Sequence, residues 1–162
     1  NSIVVTSHSK DLALPGERIG YIAFSPRIGD GALLEEGLIF CNRTLGFVNA
    51  PALMQRLVTG LQEESVNIQE YQEKRDILFN SLTELGFEMI KPRGAFYLFP
   101  KSPLPDDVEF IRKAQKYNLL LVPGSGFGRP GYFRMAYCID KQIILNSLPA
   151  FKALAAELGM TR

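Results

Sequence analysis

Tryptophan is missing altogether, histidine occurs once and cysteine twice in these 162 residues. A lone histidine, His8, cannot build a histidine-rich metal site, so no metal is expected. Cys41 and Cys138 make neither a ligand spacing nor a disulfide framework, and reduced thiols in a cytoplasmic protein are the expectation. Charge excess is missing too. Eighteen Lys and Arg against 17 Asp and Glu leave a formal net charge of +1. That balance gives no electrostatic footprint for nucleic acid or an anionic membrane. No apolar run approaches the roughly 18 residues of a membrane helix, and no charged start leads into a signal-peptide core. Internal repeats and low-complexity segments are absent. What remains is a balanced sequence with room for one medium domain or two small ones.

Its most informative stretch is the first. Ile3-Val4-Val5 is an apolar β-branched run that predicts a buried strand, and Ile19 to Phe24 predicts a second. Pro15-Gly16 turns the chain between them. Lys10 is thereby expected on a loop tip between two strands, with Ser7 and Ser9 beside it and Arg18 eight residues on. A lysine amine attacks an aldehyde only when deprotonated, so a Schiff-base lysine needs surroundings that disfavour its charge. Short hydroxyls and a guanidinium fork suit a phosphate. The combination suits an aldehyde carrying a phosphate handle, and pyridoxal phosphate is such a molecule.

The pattern Ser-x-Ser-Lys-x-x-x-x-Pro-Gly-x-Arg-Ile-Gly resembles the cofactor-attachment signature of the class I/II aminotransferases, the aspartate aminotransferase superfamily. The resemblance implies that Lys10 forms the Schiff base with pyridoxal 5'-phosphate and that Ser7, Ser9 and Arg18 complete the cofactor-binding set, with Ser7 and Arg18 on the phosphate. His8 departs from the apolar or aromatic residue usual there. The implied fold is α/β, the C-terminal part of a fold type I transferase. Residues 1–66 would be the remnant of the large domain. Residues 67–162 would be a linking helix and a small α+β domain with a mainly antiparallel sheet and flanking helices. A strand start at residue 3, with the best motif at residue 10, gives the expectation of a C-terminal fragment of a homodimeric enzyme.

Further along, Gly29-Asp30-Gly31 predicts a turn and Ala32 to Cys41 a short helix, with Asn42 to Asn49 irregular. Pro51 suits a helix start, with Leu53, Met54, Leu57, Val58 and Leu61 at core spacing. Val66 to Leu85 is the longest periodic stretch, placing Ile68, Tyr71, Leu78, Leu82 and Leu85 inward and Glu70, Glu73, Lys74 and Glu84 outward; Gly86 ends it. Strands are expected at Phe87 to Ile90, Ala95 to Phe99, Leu119 to Val122 and Tyr132 to Cys138. Asp106 or Asp107 should cap a helix running to Tyr117, with Val108, Ile111, Ala114 and Gln115 turned inward or sideways. Gly94 to Pro100 reads either as an aromatic core strand or, by the same resemblance, as a strand near the substrate mouth. Asp140 should start a terminal helix with Ile143, Ile144, Leu148, Phe151, Leu154 and Leu158 on its apolar face and Gly159 closing it.

The glycines of Pro123 to Gly131 lack the spacing and the strand-to-helix context of a phosphate loop, so they are expected to turn the backbone tightly instead. Arg134 follows, flanked by Phe133 and Met135. An arginine in an apolar strand must meet a carboxylate or other acceptors, which leaves a structural ion pair or a ligand. Gly-x-Phe-Gly-x-x-Gly-Tyr-Phe-Arg resembles the family element whose arginine grips the substrate α-carboxylate, and that assigns Arg134 to substrate binding. The implied reaction passes an amino group between an amino acid, with aspartate one candidate, and a 2-oxo acid in ping-pong fashion, with Lys10 as acid and base. Arg129, Arg93 and Arg43 are candidates for a second substrate carboxylate. An aminocyclopropane-carboxylate-synthase-like or C–S lyase reaction, or an inert binding domain retaining the fold, are the competing readings.

Overall fold

The computed structural model describes residues 1–160, and the chain divides into two compact units, Asn1–Val66 and Asn67–Arg162. In the first unit, β1 (Ile3–Ser7) pairs antiparallel with β2 (Gly20–Phe24), from Ile3 opposite Phe24 to Ser7 opposite Gly20. Gly20 must lack a side chain, since a Cβ there would fall 2.3 Å from the Thr6 carbonyl oxygen. Between the strands come a one-turn helix, α1 (His8–Asp11), and a 3-10 turn at Pro15–Glu17. Helices α2 (Gly31–Thr44) and α3 (Ala52–Thr59) complete the unit. Its core is small: Ile19, Met54 and Val58, with Leu12, Leu14 and Ala50 packed around them.

Several expectations are corrected here. Ile3, Val4 and Val5 form a strand but are exposed, because α2 faces the ribbon across an open pocket rather than packing onto it. Lys10 sits on α1 rather than on a loop; the Ser7 hydroxyl accepts the Ser9 N–H at 3.3 Å and nucleates the turn. Helix α2 runs through Asn42, Arg43 and Thr44, which the sequence had suggested were irregular. On α3 only Met54 and Val58 of the apolar stripe are buried, and Leu53 and Leu57 face outward.

The second unit has the larger core. Helix α4 (Ile68–Glu84) opens on Asn67, whose side chain accepts the Glu70 N–H, and closes on Gly86 at φ +92°. Three short strands, β3 (Tyr97–Leu98), β4 (Val122–Pro123) and β5 (Phe133–Ala136), form an antiparallel sheet in the order β3-β5-β4. Helix α5 (Asp107–Gln115) is capped by Asp106 and α6 (Lys141–Glu157) by Asp140. Leu78 and Leu82 of α4, Phe110, Ile111 and Ala114 of α5, Phe133 and Met135 of β5, and Ile144, Phe151 and Leu154 of α6 meet in one cluster. Phe87 lies at its centre, with edge contacts to Phe110, Phe133 and Phe151.

Here too the periodic reading needs correction. Phe87 to Ile90 is not a strand: the Lys101 N–H reaches the Glu88 carbonyl at 2.8 Å, but no ladder follows, and Ile90 is 91 % exposed. Of Leu119 to Val122 only Val122 enters the sheet. Of Ala95 to Phe99 only Tyr97 and Leu98 do, and Tyr132, Tyr137 and Cys138 lie outside β5. Lys74 is buried rather than solvated; its stem lies along α4 and its ammonium pairs with Glu70 one turn back. Ile68, Val108 and Ile143 are exposed.

Candidate active site

Helix α1 is too short to stand alone, and its support comes from its neighbours. His8 is buried; its N–H donates to the Ile19 carbonyl at 3.0 Å and its own carbonyl accepts the Leu14 N–H at 3.2 Å. The ring of His8 meets Asp11 at 3.1 Å through Nδ1 and lies 5.9 Å from the Tyr21 ring. Asp11 also accepts the Leu12 N–H, and its carbonyl accepts the Val66 N–H at 2.9 Å. The residue that fits the motif least well is thus the one that fixes the helix. Lys10 is exposed on that helix, so the low-polarity setting expected around its amine is not supplied by burial within this unit.

Ser7 and Ser9 come together, Oγ to Oγ at 2.8 Å. Arg18 takes a left-handed backbone at φ 51°, and its Nη1 donates back to the Pro15 carbonyl at 2.9 Å. The Arg18 side chain lines a cavity of about 500 Å³ with Gly20, Asn42, Phe47 and Asn49; Ser7, Ser9 and Lys10 lie outside that lining. The donor set is hydroxyls, a guanidinium with nitrogens to spare and an amine. That chemistry fits a phosphorylated aldehyde.

Arg134 belongs to the other unit, on the central strand β5 opposite Val122. Among the described residues of that unit no carboxylate pairs with it. Its guanidinium carbon lies 4.4 Å from the Tyr97 ring centre and 3.8 Å from that of Phe127. Phe127 ends a 3-10 turn, Gly124–Phe127, which the glycines make possible. A Cβ on Gly124 would come within 2.4 Å of the Arg129 carbonyl oxygen and 2.7 Å of that of Tyr132. Buried Asp107 at the start of α5 accepts the Ser125 N–H at 2.6 Å and pins the turn.

Tyr97 is held from the opposite direction. The Tyr137 N–H donates to the Phe96 carbonyl and the Tyr137 hydroxyl to that of Ala95, at 2.9 and 3.0 Å. Asp76 takes Arg75 at 2.7 Å and Lys91 at 2.9 Å, and Arg75 also donates to the Pro92 carbonyl. The hydrogen bond from Arg75, then that from Lys91, holds the Asp76 carboxyl below its ordinary range, while the bond to Asp76 raises Arg75 above its own. Burial pushes the Tyr137 phenol up. Arg129 stacks on Tyr132, with Nη2 donating to its hydroxyl at 3.1 Å. Sequence reasoning placed Tyr97 in a strand near the substrate mouth, Phe127 in the motif that ends at Arg134 and Asp107 at a helix start, but did not join the three to the Arg134 side chain. Among the described residues no cluster of His, Cys, Asp and Glu could hold a metal ion, and no helix is long and apolar enough to cross a membrane.

The model for aminotransferase class I and II matches residues 1–146, and the chain belongs to that family. It is 26% identical to an aspartate aminotransferase of Thermotoga maritima over 90% of this chain and 37% of that protein. An aromatic aminotransferase of Arabidopsis thaliana is 34% identical over 82% of this chain and 35% of its own length. A crystal structure of an amino transferase from Eubacterium rectale superposes with a TM-score of 0.85 at 40% identity, covering 98% of this chain and 40% of that one. The chain spans about two-fifths of the length of the relatives it matches. Its fold is that of part of a fold type I aminotransferase, and members of the family use pyridoxal phosphate.

Proposed function

We propose that this chain contributes the cofactor lysine and the substrate arginine of an enzyme that exchanges an amino group between an amino acid and a 2-oxo acid. In this reading residues 1–66 close the large, cofactor-binding domain, and residues 67–162 are the linking helix and the small domain of a homodimeric, cytoplasmic protein. Lys10 Nζ would hold the aldehyde carbon of pyridoxal phosphate, Ser7 and Arg18 would hold its phosphate, and Ser9 would complete the cofactor-binding set. The bound cofactor supplies an electron sink for the Cα–H bond of the substrate. Lys10 Nζ would take the substrate Cα proton as base and give a proton back as acid. Arg134 holds the α-carboxylate and so orients that Cα–H bond. Release of the 2-oxo acid and entry of a second one complete a ping-pong cycle. Aspartate is the proposed amino donor.

The observation that carries this reading is the state of Arg134. A structural arginine in a strand would be paired with a carboxylate; this one has two aromatic rings against its guanidinium carbon, at 4.4 and 3.8 Å, and no carboxylate partner among the described residues of its unit. The test is made in the full-length protein with aspartate and 2-oxoglutarate. Lys10→Ala is expected to abolish amino transfer and cofactor retention. Arg134→Lys is expected to raise KM for both substrates, because an ammonium cannot hold a carboxylate bidentately. Activity and retention unchanged in Lys10→Ala would mean an inert domain. Release of a thiol or a cyclopropane product in place of a 2-oxo acid would mean a different reaction on the same scaffold.

A further inference from the structure

We propose that Phe127 and Tyr97 are positioning residues that set the plane of the Arg134 guanidinium before any substrate arrives. The proposal rests on the reading of Arg134 as the carboxylate-binding residue. Both ring centres lie within cation–π reach of the one guanidinium carbon, at 3.8 and 4.4 Å. A guanidinium lying on ring faces gives up no N–H donors, which all point outward in its own plane. Rotation about its last torsions is blocked at the same time, so less freedom is lost when a carboxylate binds. The arrangement therefore selects a planar carboxylate presented edge-on and disfavours one that approaches from above.

Phe127 is held by elements outside the strand that carries Arg134, and Tyr97 by its own strand β3, which pairs with β5. Phe127 is fixed by the Gly124–Phe127 turn, itself tied to α5 through Asp107, and its ring meets Phe99 nearly edge-on at 6.5 Å and 83°. Tyr97 packs on Phe96 at 4.6 Å, and the chain just before it is held by the Tyr137 bonds to the Phe96 and Ala95 carbonyls. The jaws are thus anchored on α5 and on the segment after α4, while the gripped side chain comes from β5.

The test has one readout without substrate and one with it. In the 162-residue chain, the Nε–Hε resonance of Arg134 is expected far upfield from ring currents. It should return toward the ordinary position in Phe127→Leu and in Tyr97→Leu and stay upfield in Phe127→Tyr. In the full-length protein, Phe127→Leu is expected to raise KM for the 2-oxo acid about fivefold, the worth of about 1 kcal/mol of lost cation–π contact. Turnover at saturation should stay within about twofold on the same grounds, and Phe127→Tyr should restore KM. If Phe127→Leu unfolds the turn, Tyr97→Leu decides the matter from the other side. An Arg134 resonance at its ordinary position in the unaltered chain overturns the clamp. So does an unchanged KM in both Leu variants while Arg134→Lys raises it, and that result leaves the carboxylate reading standing. An unchanged KM in Arg134→Lys removes that reading and this proposal with it.

Discussion

Asp107 offers the sharpest stability experiment in the second unit. Its side chain is buried at the first turn of α5, and Oδ2 accepts the Ser125 N–H at 2.6 Å, across 18 residues of sequence. Asp107→Ala strips that acceptor away and strands a backbone donor. A hydrogen bond to a charged acceptor is worth about 1.5–3 kcal/mol when its partner is left unsatisfied. An acidic group in the first turn of a helix adds about 0.3–1 kcal/mol. The expected loss is thus about 2–4 kcal/mol. Asp107→Asn keeps an acceptor of the same shape and should cost about 1 kcal/mol or less. A chain of two compact units need not unfold in one step, so the measurement is urea unfolding followed by amide resonances of Phe110, Phe133 and Leu154. Hydrogen exchange at Ser125 supplies the local readout. Equal losses for Asn and Ala would show that the carboxamide cannot substitute. A loss below about 0.5 kcal/mol for Ala, with Ser125 still protected, would refute the reasoning, since that is ordinary surface behaviour.

Gly124→Ala should destabilise the same turn by about 1–3 kcal/mol, the usual range for overpacking, because the atoms it meets are backbone carbonyls that cannot swing away; urea midpoints check it. Leu154→Ala removes a fully buried side chain from α6 and is expected to cost about 2–5 kcal/mol by the same measurement. The Asp76 carboxyl is held low in the folded chain, chiefly by its hydrogen bond from Arg75 and then by that from Lys91. Its stabilisation is therefore complete above the unfolded value of about 3.9 and drains away as pH falls through the lower folded value. Asp76→Asn should flatten the acid limb of a stability–pH curve below about pH 4 and change its slope little near neutrality. The isolated 162-residue chain should bind pyridoxal phosphate weakly or not at all, read by absorbance titration; tight binding would show that these residues suffice.

Local chemistry was what the sequence conveyed best. Asp106 and Asp140 as caps and Gly86 as a helix stop all act within one turn of the residue concerned, so type and spacing reveal them. The Ser7–Ser9 contact beside Lys10 is local in the same way. Burial was not. Ile3-Val4-Val5 and Leu53 carry the pattern of covered residues, but cover depends on which layer lies above, and periodicity contains no such information. Lys74 failed in the opposite sense, its charge suggesting water while its stem supplies core. The Phe87 to Ile90 run resembled a strand because its residues favour one, yet the Phe87 N–H turns back to the Leu82 carbonyl and the single Glu88–Lys101 bond starts no ladder. The guanidinium between Tyr97 and Phe127 joins three segments, the outermost 37 positions apart (134 − 97), and no short pattern could foretell it.

The β1–β2 ribbon carries a practical consequence. Two strands alone consist entirely of edges, and these edges are lined by Ile3, Val4, Val5, Tyr21 and Ile22, all open to water. With a formal charge of only +1, neighbouring molecules repel each other weakly. Concentrated solutions of the isolated chain should therefore precipitate through strand-to-strand stacking that starts in the first 25 residues, and a lysine in place of Val5 is the smallest change that should keep it dispersed.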